Sequence, residues 1–219
     1  MRGAFSLAAA LLVLAGCGYS DRDDSHKVNG SVHIVAGRAP VEAKTVNGGI
    51  VIDANANVTA AKTVNGGVSL GAQATANSLT TVNGPITLDA GARATGTVES
   101  VNGALTLREG SEVGGSLENV NGNIELNSAH VTGGIQTVTG SMDITGKSRV
   151  EHGILVKRGS TDLIRLGNDV PRIVIGPGAT VEGELRFERV VQLYVSDRAT
   201  IGPVVGATAI RFSGDAPPG

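Results

Sequence analysis

Tryptophan is absent from the 219-residue chain, and the other aromatics number five: Phe5, Tyr19, Phe187, Tyr194 and Phe212. A core centred on large rings is excluded, and residues 29–156 offer no aromatic platform against which a sugar ring could stack. There is one cysteine, Cys17, so no disulfide can close within the chain. Charge of one sign is lacking as well: 18 Lys and Arg against 20 Asp and Glu leave a formal charge of −2, too even to draw in nucleic acid or an anionic surface by bulk field. The apolar run at residues 4–14 spans 11 residues, too short to cross a ~30 Å hydrocarbon layer as a helix. What remains is a chain that is 41% hydrophobic, carried by small and branched aliphatics, with 32 glycines.

The short run has the layout of an export signal. Arg2 supplies a positive start, the apolar stretch follows, and Leu14-Ala15-Gly16-Cys17 resembles the bacterial lipobox, in which the cysteine thiol receives a diacylglyceryl group and cleavage occurs just before it. The resemblance implies a signal peptide at residues 1–16 and lipidation of Cys17. Each buried CH₂ of an acyl chain contributes roughly 0.8 kcal/mol, so two or three chains hold a domain at a bilayer. Gly18, rather than Asp, follows the cysteine, as in lipoproteins sent on to the outer membrane. Residues 17–28 are charged and poor in apolar side chains, the pattern of a flexible tether. His26 with Asp21, Asp23 and Asp24 could be imagined as metal ligands there, but solvated linker residues are the favoured reading.

The body is a repeat. Asn-Gly recurs with the asparagines at Asn29, Asn47, Asn65, Asn83, Asn102 and Asn121, and Thr139-Gly140 takes the seventh place. The spacings are 18, 18, 18, 19, 19 and 18 residues. A period this short over residues 29–156 predicts a solenoid whose coils each bury their apolar face against the next. Alternation within the coil predicts strand: Val32, Ile50, Val68 and Ile86 stand three residues after the asparagine, and Ile34, Ile52, Leu70 and Leu88 two further on. A looser column holds Val41, Val58, Ala76, Ala94 and Val113, and Leu79, Val98, Leu117 and Ile135 approach the next turn. Gly and Asn interrupt every coil, which disfavours helix.

The predicted fold is an all-β, right-handed parallel β-helix of about nine to ten coils with an 18 to 19 residue period, its hand following the rule for parallel crossovers. Seven coils occupy residues 29–156, and irregular coils with a terminal cap occupy residues 157–219, where Phe187, Tyr194 and Phe212 are expected to cover the open end. The valine before each asparagine, including Val46, Val64, Val82, Val101, Val120 and Val138, is expected to form an interior stack, with Thr45, Thr63 and Thr81 as an exposed ladder beside it. The asparagines are expected to adopt left-handed backbone at the bend and to bond amide to amide from coil to coil.

The tracts T-V-N-G-G-I-V-I at 45–52, T-V-N-G-G-V-S-L at 63–70 and T-V-N-G-P-I-T-L at 81–88 resemble bacterial adhesin-like β-helix domains, and I-G-P-G-A-T-V-E-G at 175–183 resembles bactofilins, which form polymers. The likeness covers about 180 residues and implies a structural or adhesive role with no catalytic residue to carry over. The lipobox departs from the bactofilins, which are mostly cytoplasmic.

Chemistry has few candidates. The register predicts that Glu99 lies beside Glu118 and Glu125 beside Asp143 on adjacent coils, pairs that a polysaccharide-processing enzyme could use. Lys44 above Lys62 in the same column points instead to like charges tolerated on a solvated face. The histidines, His26, His33, His130 and His152, are scattered, although His130 and His152 fall at similar places on neighbouring coils. No cofactor, metal or nucleic-acid partner is expected. The reading is a lipid-anchored, non-catalytic structural or adhesive module of the cell envelope, expected at the outer membrane, meeting envelope polysaccharide or a cell surface, or associating with itself. Alternatives are a scaffold polymer and, lower, a polysaccharide-processing enzyme.

Overall fold

The computed structural model describes residues 25–159 and 170–218. Strands are the only regular elements in them, and they pair in parallel. One sheet stacks ten short strands, from Val32–Ile34 to Ala209–Phe212; the other has sixteen strands and forms the remaining sides of the coil. Pairing partners lie one coil apart, as in Ile50 with Val68 and Val68 with Ile86, so the chain winds through about ten turns of a β-solenoid. The first described strand, His26–Asn29, already pairs with Val41–Asn47.

Insertions fall at corners. Strand Thr75–Asn83 pairs over its whole length with Asn57–Asn65 below, but above it the coil divides into Arg93–Ala94 and Val98–Asn102. The extra residue that lengthens the spacing from 18 to 19 lies between them, around Gly96, whose N–H donates to Asn77 O at 2.6 Å. The solenoid gains a third side here. Residues 160–169, within the predicted irregular stretch after Val156, lie outside the described residues; pairing resumes with Met142 opposite Ile173.

Interior columns follow the I-x-I pattern. Ile50, Ile52, Leu70, Ile86, Leu88, Leu105 and Leu107 are fully buried, and so are Ala94, Val98, Val113 and Leu117. A further column of small residues, Ala56, Ala74, Ala92, Ser111, Ala129 and Ser148, lines the corner that follows each short strand. The left-handed residue of the coil sits at this second corner, as Asn55, Gln73 and Ser128 with φ of 60°, 57° and 50°. The asparagines of the V-N-G motif do not take it, contrary to the sequence expectation.

The motif solves a different problem. Gly48, Gly66 and Gly84 stand directly on one another, and a Cβ on Gly66 would run into the Gly48 carbonyl one coil below. Glycine is required by the close approach of two backbones as well as by the bend. The N–H groups here bond to the coil above, Gly66 N to Asn83 O and Val68 N to Pro85 O, both at 2.9 Å, and no described backbone N–H reaches the Gly48 carbonyl. The threonine supplies the donor. Thr45, Thr63 and Thr81 donate Oγ1–H to the carbonyls of Gly30, Gly48 and Gly66 at 2.9, 2.9 and 2.8 Å, and Ser100 and Asn119 repeat the device toward Gly84 and Gly103 at 3.3 and 3.2 Å.

Two expectations are therefore corrected. Thr45 and Thr81 are 0% exposed, and the valines just before the asparagines, Val46, Val64, Val82, Val101 and Val120, face outward and are half-buried. Strand parity is the reason: Leu79 and Val82 are three residues apart on one strand, so if Leu79 points in, Val82 points out. Further up, the buried Val156 and Phe187 succeed Thr137 in the same column. Phe187 and Phe212 join the interior as expected. Tyr194 does not: it lies on the outer face with the Arg172 guanidinium 5.1 Å from its ring centroid.

The roles of neighbours in the motif make opposite predictions for similar substitutions. Thr81→Val keeps shape but leaves the Gly66 carbonyl without its donor and is expected to cost about 1–3 kcal/mol, whereas Val82→Thr, on the outside, should stay within ~0.5 kcal/mol. Urea denaturation of the two variants checks the ranking. An inward valine would invert it.

Candidate functional site

The outward positions of the larger sheet form straight columns, because each coil is in register with the last. One column runs Lys44, Lys62, Thr80, Glu99, Glu118 and Gln136 on successive coils. The half-buried valines stand two residues further along the strands, and the asparagines mark the edge. Glu42 holds the two lysines, with Oε2 at 2.6 Å from Lys44 Nζ and Oε1 at 3.6 Å from Lys62 Nζ, and these cations keep its carboxyl below the ordinary range against the opposing effect of burial.

Glu99 and Glu118 are the adjacent pair that the repeat predicted. Glu118 Oε1 accepts the Ser116 hydroxyl at 2.7 Å. Neither carboxylate is in an ion pair among the described residues. Burial, and then repulsion from Glu118, push the Glu99 carboxyl above its ordinary value. Glu125 and Asp143 pair likewise on the smaller sheet. Both pairs consist of neighbours on a wall rather than groups facing each other across a cleft, the arrangement glycoside hydrolysis uses.

At the edge, the amides bond from coil to coil. Asn47, Asn65, Asn83 and Asn102 donate Nδ2–H to Oδ1 of Asn29, Asn47, Asn65 and Asn83 at 3.0, 2.9, 3.0 and 3.1 Å, and Thr139 donates to Asn121 Oδ1 at 3.2 Å. Cys17 and the tether residues Asp21, Asp23 and Asp24 lie outside the described residues.

A second outward column runs Arg93, Glu112, His130 and Arg149, with Glu151 and Glu182 beside it. Arg93 pairs with Glu112 at 2.5 Å, and Glu151 takes His130 Nε2 at 2.9 Å and Arg149 Nε at 3.5 Å, while Arg149 Nη2 reaches Glu182 at 2.6 Å. The His130 hydrogen bond, with Arg149 beside it, lowers the Glu151 carboxyl below its usual value. His152 approaches the Thr132 carbonyl, and His33 Nε2 lies 2.6 Å from Asp53. His130 and His152 are thus on neighbouring coils with separate partners. His26, in the first strand, stands opposite Lys44. No cluster of three or more His, Cys, Asp or Glu suited to a metal ion occurs among the described residues.

The outer wall carries an open hollow of about 250 Å³ lined by Gly133, Gly134 and Gly153 and bordered by His152, Glu184 and Arg186. Sequence reasoning missed it; its signal was the run of corners without side chains. Neither carboxylate pair lies in it, and its one carboxylate, Glu184, is bound to Arg186 Nε at 2.6 Å. Among the described residues no helix is long and apolar enough to cross a membrane.

The raised Glu99 carboxyl has a consequence for pH. A folded-state pKa above the unfolded one gives stability that is fully present below the unfolded value and lost as pH rises through the folded one, whereas Glu151, lowered, contributes above the unfolded value and loses it as pH falls. Glu118→Gln is expected to bring the Glu99 pKa part of the way back, since burial, the larger cause, stays. Carboxyl-carbon NMR titration of Glu99 in both proteins reads this, and an unmoved titration would remove Glu118 as a cause.

Comparison with protein-family models yields no matching family, and neither curated proteins nor solved structures give a match to this chain.

Proposed function

We propose that the chain is a non-catalytic structural or adhesin-like module of the bacterial cell envelope, anchored through lipid on Cys17, with the solenoid as a rod that offers long, repetitive polar faces. The observation that carries this reading is the regularity of the outer wall. The edge asparagine recurs once per coil, ~4.8 Å from the next, the other outward positions stack in register from coil to coil, and the depression at Gly133 and His152 is open. A surface of this kind suits a polymeric partner with its own short repeat, such as envelope polysaccharide, through many weak contacts that add up by multivalency. Small-molecule turnover needs convergent groups in a concave site, and the carboxylate pairs lie on a wall instead.

A scaffold polymer is the second reading, favoured by the last coil. Its strands Thr200–Ile201, Val204–Val205 and Ala209–Phe212 pair on one side only, and Val205 and Ile210 are 40% and 47% exposed.

Two measurements test the proposal. Cell fractionation of the full chain is expected to find it with membranes, and Cys17→Ser is expected to shift it to the soluble fraction. Envelope material captured on immobilised residues 18–219 is expected to contain glycan of unchanged length. Shortened glycan, with cleavage abolished by Glu118→Gln or Glu125→Gln, would sink the non-catalytic reading, and filaments in electron micrographs of the same sample would favour the scaffold.

A further inference from the structure

The charged column on the larger sheet reverses sign about its middle. Lys44 and Lys62 lie two and one coils before Thr80, and Glu99 and Glu118 lie one and two coils after it. We propose that this face is an interface between two copies of the chain, packed face to face with the rods antiparallel, about a two-fold axis running along strand Thr75–Asn83.

Rotation about an axis in the interface and along the strands leaves each column over itself and reverses the order of the coils. Thr80 then meets Thr80 of the second copy, Lys62 meets its Glu99, and Lys44 meets its Glu118. The valines follow the same operation: Val82 packs on Val82, Val64 on Val101 and Val46 on Val120, so the half-buried stripe becomes the dry centre and the charges flank it. This is an isologous contact, closed after two copies. The parallel alternative, with the axis along the rods, sets lysine on lysine and glutamate on glutamate, and like charges directly opposed cost several kcal/mol.

Two observations besides the sign pattern point to a second copy. Glu99 and Glu118 form no ion pair among the described residues, and burial with mutual repulsion already makes the Glu99 proton harder to lose, so this pair gains most from arriving cations. Glu42, which holds both lysines, precedes Lys44 by two residues, and the rotation sets it opposite Ser116, two residues before Glu118, rather than opposite another carboxylate. Seven coils at ~4.8 Å and seven residues of strand at ~3.3 Å make a face of roughly 30 by 20 Å, on the order of 600 Å² per partner, at the low end for a stable dimer. The inference stands whether or not the chain carries a lipid anchor.

The test is charge reversal with complementation, using the full chain purified in detergent and sedimentation to measure mass. Wild type is expected to dimerise reversibly in the micromolar range, more weakly at high salt. The variant Lys44→Glu with Lys62→Glu, and the variant Glu99→Lys with Glu118→Lys, are each expected to lose at least about tenfold in self-association, while an equimolar mixture recovers it as a heterodimer. Circular dichroism melting shows that each variant is folded. A cysteine series, with Cys17 replaced by Ser, reads the geometry even if reversal harms folding. Thr80→Cys is expected to cross-link to itself, Lys44→Cys to cross-link with Glu118→Cys and not with itself. A monomer up to ~100 µM, a dimer indifferent to charge reversal, or self-cross-linking of Lys44→Cys would each overturn the proposal.

Discussion

The structure depends on how closely two backbones meet at the V-N-G corner. The carbonyl of Gly48 points at the α-carbon of Gly66 above it, and the same contact recurs from Gly30 to Gly48 and from Gly66 to Gly84. An approach this tight admits no side chain and directs the corner carbonyl away from the backbone donors of the next coil. A buried carbonyl without a donor costs about 1–3 kcal/mol, and repeating that at successive corners would remove much of the stability of an ordinary domain. The interior threonine resolves the conflict by donating from inside. Thr, Val, Asn and Gly are thus one device: threonine satisfies the carbonyl, valine covers the outside, asparagine ties the edge to its neighbours, and glycine lets the coils touch.

The fold class was legible because a solenoid repeats its burial pattern once per coil, and no other architecture explains an 18-residue period of I-x-I and N-G. The amide ladder was legible for the same reason, since register places like over like. Face assignment within the longer strand was not, although the information was present. Leu79 and Val82 cannot both point inward on one continuous strand, and the parity of Leu79 alone would have put Thr81 in the core. Hydrophobicity misled here because valine is a good strand former on either face, while threonine buried beside a carbonyl behaves as a satisfied residue rather than a polar one. The alanine and serine column at the second corner was overlooked because small side chains give little hydrophobic signal, yet Ala74 and Ala92 are as deeply buried as the leucines.

The surface follows a different logic from the core. Inward positions are nearly interchangeable between coils, since each must fit over its predecessor. Outward positions change freely, and their variation along the rod makes one level different from another. Adjacent like charges such as Glu99 and Glu118 are a by-product of stacking unless something meets them, so carboxylate proximity by itself is weak grounds for catalysis on a fold that sets neighbours ~4.8 Å apart throughout. Where the sequence supplies opposite signs on neighbouring coils, as in Arg93 with Glu112 or Arg149 with Glu182, the wall neutralises itself and needs no partner.

The column through Thr80 does not neutralise itself in this way. Its lysines share one carboxylate from a neighbouring position, whereas Glu118 has only the Ser116 hydroxyl and neither glutamate has a cation among the described residues. A rod that balanced charge only within its own length would set opposite signs next to each other in this column, as Arg93 and Glu112 are set in theirs. Segregating them instead, two cations below and two anions above a neutral centre, leaves a field that a two-fold partner cancels and a translated copy does not. The same coil geometry that makes the interior monotonous therefore gives the outside a direction, and with it a means of recognising another rod of the same kind.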